Sequence, residues 1–120
     1  MSDRPTINIT SPWFECLVYG SKVTIPQVNI PPWSDLKYGK LVNIQHVTDD
    51  ETELDGFVTV VVENTFECRD IFEFIDRTTF SLSLPGVTDL DLAIRIYKDF
   101  LISNKEEIRI HGIIGLHVET

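Results

Sequence analysis

The sequence predicts an α+β fold built on a small β-barrel with short flanking helices. Three observations point there. The order of predicted elements is strand, helix, several strands, helix, helix, strand, which suits a barrel or a sheet with helices at one side. β-branched residues are concentrated in the middle of the chain, in Leu41–Val47 and in the run Phe57 to Val62. A length of 120 residues, 42% hydrophobic and 24% charged, suits one domain over residues 1–120 with one core.

Thr6 to Thr10 alternates, with Ile7 and Ile9 pointing one way, and reads as a strand. Ser11-Pro12 supplies a helix start, and Phe14, Leu17 and Val18 form a buried stripe on a helix from Pro12 to Tyr19 that Gly20 ends. Glu15 in its first turn suits the helix dipole. Lys22 to Asn29 is extended, and Pro26, which cannot donate to a ladder, implies an edge or a bulge. Ile30-Pro31-Pro32-Trp33 is a bend leading to a turn at Tyr38-Gly39.

Leu41–Val47 and Gly56–Glu63 are expected to pair antiparallel across a hairpin loop at Thr48 to Asp55, the second strand covered on both faces. Asp70 to Arg77 reads as a helix facing the core with Ile71, Phe72, Phe74 and Ile75, and Leu84-Pro85-Gly86 forces a turn. From Thr88 or Asp89 to Leu101 the apolar residues repeat at helical spacing on a stripe about 200° wide, predicting one deeply packed helix. Ile108 to Val118 then reads as the last strand, with Arg109, His111 and His117 on one face and close approach allowed at Gly112 and Gly115.

The net charge of −9 is spread evenly: residues 1–60 carry four Lys/Arg against eight Asp/Glu, and residues 61–120 six against eleven. Tight, sequence-independent nucleic-acid binding needs a cluster of cations to neutralise phosphates, so a positive face is not expected. No apolar run reaches the roughly 18 residues of a membrane span, and the start Met-Ser-Asp-Arg-Pro lacks the apolar stretch of a secretory signal. The expected location is therefore intracellular and cytoplasmic, in a cellular or a viral setting. Cys16 and Cys68 show no CxxC spacing and are expected as two thiols rather than a disulfide.

The segments Pro12, Phe14, Gly20-Ser21-Lys22-Val23-Thr24-Ile25-Pro26-Gln27-Val28-Asn29, Tyr38-Gly39-Lys40-Leu41-Val42 and His111-Gly112-Ile113-Ile114-Gly115-Leu116 follow one another in a familiar order. The last comes after a Tyr97-to-Phe100 helix end. The chain in this respect resembles the ASCH domain family of the PUA-like superfamily, over roughly residues 7–118. That family's signature reads Gly-x-Lys-Thr-x-Glu-x-Arg and then Asn. Here Lys22 and Asn29 persist, while the Thr, Glu and Arg positions hold Val23, Ile25 and Gln27, and the Asp of a later Gly-Asp turn is Lys40. The resemblance implies a PUA-like barrel, RNA-associated roles and, in small bacterial members, hydrolysis of the acetyl amide of N4-acetylcytidine by a Lys, a Thr and a Glu. In that subgroup's alignment the Thr falls on Ile25 and the Glu near Pro85, neither of which can attack a carbonyl or accept a proton. Thr24 lies one position off, which on a strand is the opposite face.

The expected pocket floor is Lys22, Thr24, Gln27 and Asn29, with Trp33 as a stacking wall. Lys22 serves equally as an anion or base-edge contact or as a surface lysine. Gln27 and Asn29, on the face of Val23 and Ile25, offer amides that read a base edge or are simply solvated. Trp13, Tyr19, Trp33 and Tyr38 form a stacking platform if exposed and close the barrel's end if buried, and burial is favoured. His111 and His117, six residues apart on one strand, would lie about 20 Å apart and cannot share a metal. The acidic run Asp49 to Asp55 lacks the Gly and the final Glu of a calcium loop. No metal or cofactor is expected.

A non-catalytic ASCH-type binding module for RNA or a modified nucleoside is thus the leading expectation. A protein-interaction module with a basic partner, and a hydrolase using Thr24 with Lys22 or His111, are the alternatives. Oligomeric state is left open.

Overall fold

The computed structural model describes residues 4–20, 22–84 and 86–120, with the side chains of residues 22 and 79–83 outside that description. Five strands form one sheet: β1 (Thr6–Ile9), β2 (Lys22–Val28), β3 (Leu41–Val47), β4 (Glu53–Cys68) and β5 (Ile113–Glu119). Their spatial order is β1-β3-β4-β5-β2, so β1 and β2 are the two edges. β1 joins β3 in parallel and the other three pairings are antiparallel. Pro26 thus sits on an edge strand, where a missing N–H is tolerated.

The sheet curls. Ile7 of β1 and Val23 and Ile25 of β2, at opposite edges, belong to the same buried cluster as Val42, Ile44, Val60, Val62, Leu116 and Val118. This inner core is plugged by Phe14 and Leu17 of α1 (Trp13–Gly20), a helix whose stripe falls where the sequence places it, although Val18 is exposed. A 3₁₀ turn at Trp33–Asp35 adds Trp33, and Leu36 follows it. The result is a half-barrel with flanking helices, the α+β class expected.

A second cluster lies on the outer face, where α2 (Ile71–Ser83) covers β2, β5 and the far end of β4. Phe74 is fully buried there, with Ile71, Ile75 and Ile113 around it. Gly115 makes this packing close: a Cβ at that position would stand 2.3 Å from the Phe66 ring, which lies over it from β4.

Several expectations are corrected. The strand expected at Gly56–Glu63 runs from Glu53 to Cys68, because the turn after β3 closes within Thr48 to Thr52, where Thr48 N–H donates to Thr52 O and the Thr48 hydroxyl donates to Asp50. β4 is not covered on both faces, since Phe57 and Val61 point outward and are exposed. The helix expected at Asp70–Arg77 continues to Ser83, with Phe72 exposed rather than in the core. The turn expected at Leu84-Pro85-Gly86 has Pro85 outside the described residues, and Gly86 has a φ of +89°.

The single helix expected from Asp89 to Leu101 is a relay of short ones: α3 (Leu90–Ile96), α4 (Lys98–Ser103) and α5 (Lys105–His111). Backbone near φ −86°, ψ 3° at Tyr97 and φ −121°, ψ 22° at Asn104 turns the chain at each junction. The Asn104 side chain donates to Phe100 O at 2.9 Å, a local bond that competes with helix continuation. Because the axis bends, Leu90 and Leu92 are exposed and only Ala93 is buried in α3. Residues 105–111 are helix, not strand. Asn104-Lys105-Glu106-Glu107 starts a helix with acids in its first turn, and Gly112 ends it at φ +78° with its N–H on Ile108 O. The strand-like alternation at Ile108 and Ile110 was one short turn of helix, so His111 and His117 do not share a strand.

Gly115→Ala should lower stability by about 1–3 kcal/mol, since the new methyl group overpacks a ring held on both sides. Urea denaturation checks it, and an unchanged midpoint would mean that Phe66 moves freely.

Candidate functional site

Curling brings β1 and β2 together without pairing them, and a cavity of about 210 Å³ lies in the seam. Ile7 to Thr10 form one wall and Val23 to Gln27 the other, while Trp13, Leu84, Ile96, Tyr97 and Phe100 close it from α1, the end of α2 and the bent helices. Its polar side chains include the uncharged Asn8, Thr10, Thr24 and Gln27, and three of its lining side chains, Trp13, Tyr97 and Phe100, are aromatic. At this volume, below the about 300–1,000 Å³ of drug-sized pockets, it suits a flat fragment rather than a large ligand.

Of the expected site residues, Thr24 and Gln27 line this seam. Lys22 begins β2, and its side chain lies outside the described residues. Asn29 belongs elsewhere: its amide donates to Glu67 Oε1 at 2.9 Å, at a second cavity. Trp33 is half-buried against the inner core and lines neither cavity. The expected aromatic group divides, Trp13 and Trp33 packing half-buried while Tyr19 and Tyr38 project more than four-fifths exposed. Val23 and Ile25 are core residues.

Thr24 is turned to the opposite face from Val23 and Ile25 and is 1% exposed. Its hydroxyl shares a hydrogen bond of 2.5 Å with His117 Nδ1, the residue directly across the ladder. The Phe66 ring centroid lies 5.2 Å from that of the imidazole, and the Arg77 guanidinium lies over the same Phe66 ring, 4.6 Å from its centroid. Burial pulls the His117 pKa below its ordinary value, and the nearby Glu63 carboxylate opposes the shift in part. The sequence alone offers His117 no role beyond a metal site that its spacing from His111 excludes. Its pairing with Thr24 needed the β2–β5 register, which no local signal gives.

The second cavity, about 370 Å³, is polar and lies between Asn29, the end of β4, the start of α2 and the end of α5. Its arginines are paired, Arg69 with Glu73 at 3.4 Å and Arg109 with Glu106 at 2.9 Å, so it offers no concentrated positive charge. Cys68 at its floor is buried, which pushes its thiol pKa up, and both cysteines are free thiols. His111 lines this cavity, whereas Thr24 lines the other, so a Thr24–His111 pair does not form. Among the described residues no group of three or more His, Cys, Asp or Glu is placed to hold a metal ion.

A Ser–His–Glu cluster also emerges that sequence reading missed. Ser11 Oγ donates to Glu15 Oε1 at 2.7 Å and lies 2.8 Å from His46 Nε2, and Phe14 stacks on the His46 ring at 4.6 Å in space left by Gly56. With the Ser11 hydroxyl directed at Glu15, its oxygen is placed to accept from His46 Nε2. The cluster therefore fixes the start of α1 to β3.

No protein-family model matches the sequence, and no curated protein matches it. Two solved structures share its fold over nearly all of each chain. The crystal structure of the hypothetical protein PH0355 superposes with a TM-score of 0.72 at 15% identity, covering 98% of both chains. The solution structure of protein PF0455 from Pyrococcus furiosus gives a TM-score of 0.62 at 13% identity, covering 98% of this chain and 96% of that one.

Because the folded-state pKa of His117 is lowered, the unfolded chain binds that proton more tightly. The contribution is fully present above the ordinary value near 6.5 and is lost as pH falls from there through the folded-state value. The urea midpoint should therefore drop between pH 7 and 5, and His117→Gln should flatten that part of the profile. Identical slopes for the two proteins would show that His117 titrates as in the unfolded chain.

Proposed function

We propose that the chain is a non-catalytic, ASCH-type PUA-like binding module that takes the base of an RNA or of a modified nucleoside into the seam cavity. The observation that carries this reading is the cavity's composition. Trp13, Tyr97 and Phe100 offer rings against which a base can stack, and Asn8, Thr10 and Gln27 offer uncharged donors and acceptors for its edge. The unpaired strand edges of β1 and β2 supply further backbone groups. The resemblance in the segment from Gly20 to Asn29 and at His111 to Leu116 supports the same reading, with Lys22 at the mouth of β2 as the expected anion contact.

The cavity lining carries no charge, and the chain is acidic, so affinity would come from stacking and shape and be modest. Loss of chemistry fits the side chains present. Val23 and Ile25 are held in the inner core and bring no nucleophile or base. The Thr24 hydroxyl is buried and already bonded to His117. Trp33 and Asn29 have no part in this version of the site.

A thermal-shift screen against nucleosides, modified cytidines and short RNAs tests it. A ligand at 100 times its dissociation constant should stabilise the protein by about 2.7 kcal/mol, and the shift should persist at physiological salt. Gln27→Ala and Lys22→Ala should each reduce it. If no nucleoside or RNA shifts the midpoint, or both variants bind as the parent does, the reading fails. Capture of a basic protein that survives nuclease treatment would then favour a protein-interaction module.

A further inference from the structure

We infer that the seam's ligand is a free, uncharged nucleobase taken up as a small molecule, and that nucleotides and RNA are turned away by charge, a choice that rests on reading the seam as a base-binding cavity. Trp13, Tyr97 and Phe100 line it with rings, and stacking on a ring draws in a flat base whatever is attached to it. The attachments therefore decide.

The first attachment is phosphate. No described residue lining the cavity carries a charge at neutral pH, so a phosphate brought to it gives up water without gaining a cation. The surroundings hold no excess of cations either. Residues 86–104, which carry the roof, have Arg95 and Lys98 against Asp89, Asp91 and Asp99. At the start of β2, Glu119 stands directly across the ladder from Lys22, which puts a carboxylate-bearing residue level with the expected anion contact. Residues 41–68, which are β3, β4 and the turn between them, hold seven Asp or Glu and no Lys or Arg. With a net charge of −9 the field of the chain opposes an anion, and opposes a polynucleotide with its many phosphates most.

The second attachment is ribose. A cavity of about 210 Å³ is smaller than the about 300–1,000 Å³ of pockets that enclose drug-sized ligands. One planar ring system suits it, and the sugar of a nucleoside stays outside and adds little. The edge of a base is a row of neutral donors and acceptors, the kind of partner that the side chains of Asn8, Thr10 and Gln27 can meet. The module is then a receptor for a metabolite rather than a reader of RNA.

Calorimetric titration of the full chain with cytosine, uracil, adenine and hypoxanthine, each beside its nucleoside, its 5′-monophosphate and a short homopolymer, tests this at low and physiological salt. At least one base should bind. Its nucleoside should bind within about threefold of it, and its monophosphate about tenfold more weakly at low salt, a gap that narrows as salt screens the repulsion. Asn8→Ala, at an exposed position on β1, should weaken the base several-fold. A monophosphate or homopolymer that binds more tightly than the base, or a nucleoside about tenfold tighter, overturns the inference and leaves the base-binding reading standing. Base binding that neither Asn8→Ala nor Gln27→Ala changes lies outside the seam and also overturns it. If no member of any series binds, the base-binding reading falls and the inference with it. The series on the parent chain needs no variant to fold.

Discussion

The sheet's curl is the constraint on which the rest depends. Ile7 at one edge and Val23 and Ile25 at the other must share an inner core with Val42, Val60 and Leu116, so the edges are drawn together. Five strands do not complete the closure. The plug formed by Phe14 and Leu17 occupies the interior, and Trp13 from the same helix stands at the seam. What remains between the edges is a cleft walled by backbone that has no ladder partner. A cavity at that place follows from a barrel that is filled but not closed.

Strand β2 serves both layers at once, which explains the character of its side chains. Val23 and Ile25 face inward, Thr24, Pro26 and Val28 face α2, and all five are buried. A polar residue at an inward position would need a buried partner, and the neighbouring inner residues are aliphatic. Thr24 can keep its hydroxyl because His117 stands directly across the ladder. Both faces of β2 are thus occupied by residues that hold the two layers together.

Much of the sheet was legible from alternation alone. Ile7 and Ile9, and Ile114, Leu116 and Val118, announce a shared face in the sequence, and Pro26 announces an edge or a bulge. The C-terminal third was not legible, because one apolar stripe cannot show that a helix bends. Residues 90–101 have a helical period throughout, but the turns at Tyr97 and Asn104 answer to tertiary packing. Ile108 and Ile110 alternate over too short a span to separate a strand from a helical turn. The candidate site was half legible: Thr24 and Gln27 follow from β2, whereas Tyr97, Phe100 and Asn8 reach the seam only through the curl. Asn29 left the site because it lies one residue beyond the strand, where Glu67 holds its amide.

Those bends have a geometric necessity. A straight helix over residues 90–111 would run about 33 Å at 1.5 Å per residue, as long as the molecule's longest dimension of 33 Å. Its end would overshoot the start of β5, which must lie beside Cys68 of β4 and Val28 of β2. Breaking the path at Tyr97 and Asn104 lets the chain turn around the β2 edge and return to Gly112, whose carbonyl accepts from Asn29 N–H at 3.1 Å. The same detour carries Ile96, Tyr97 and Phe100 over the seam. The turns that let the last strand reach the sheet also roof the cavity.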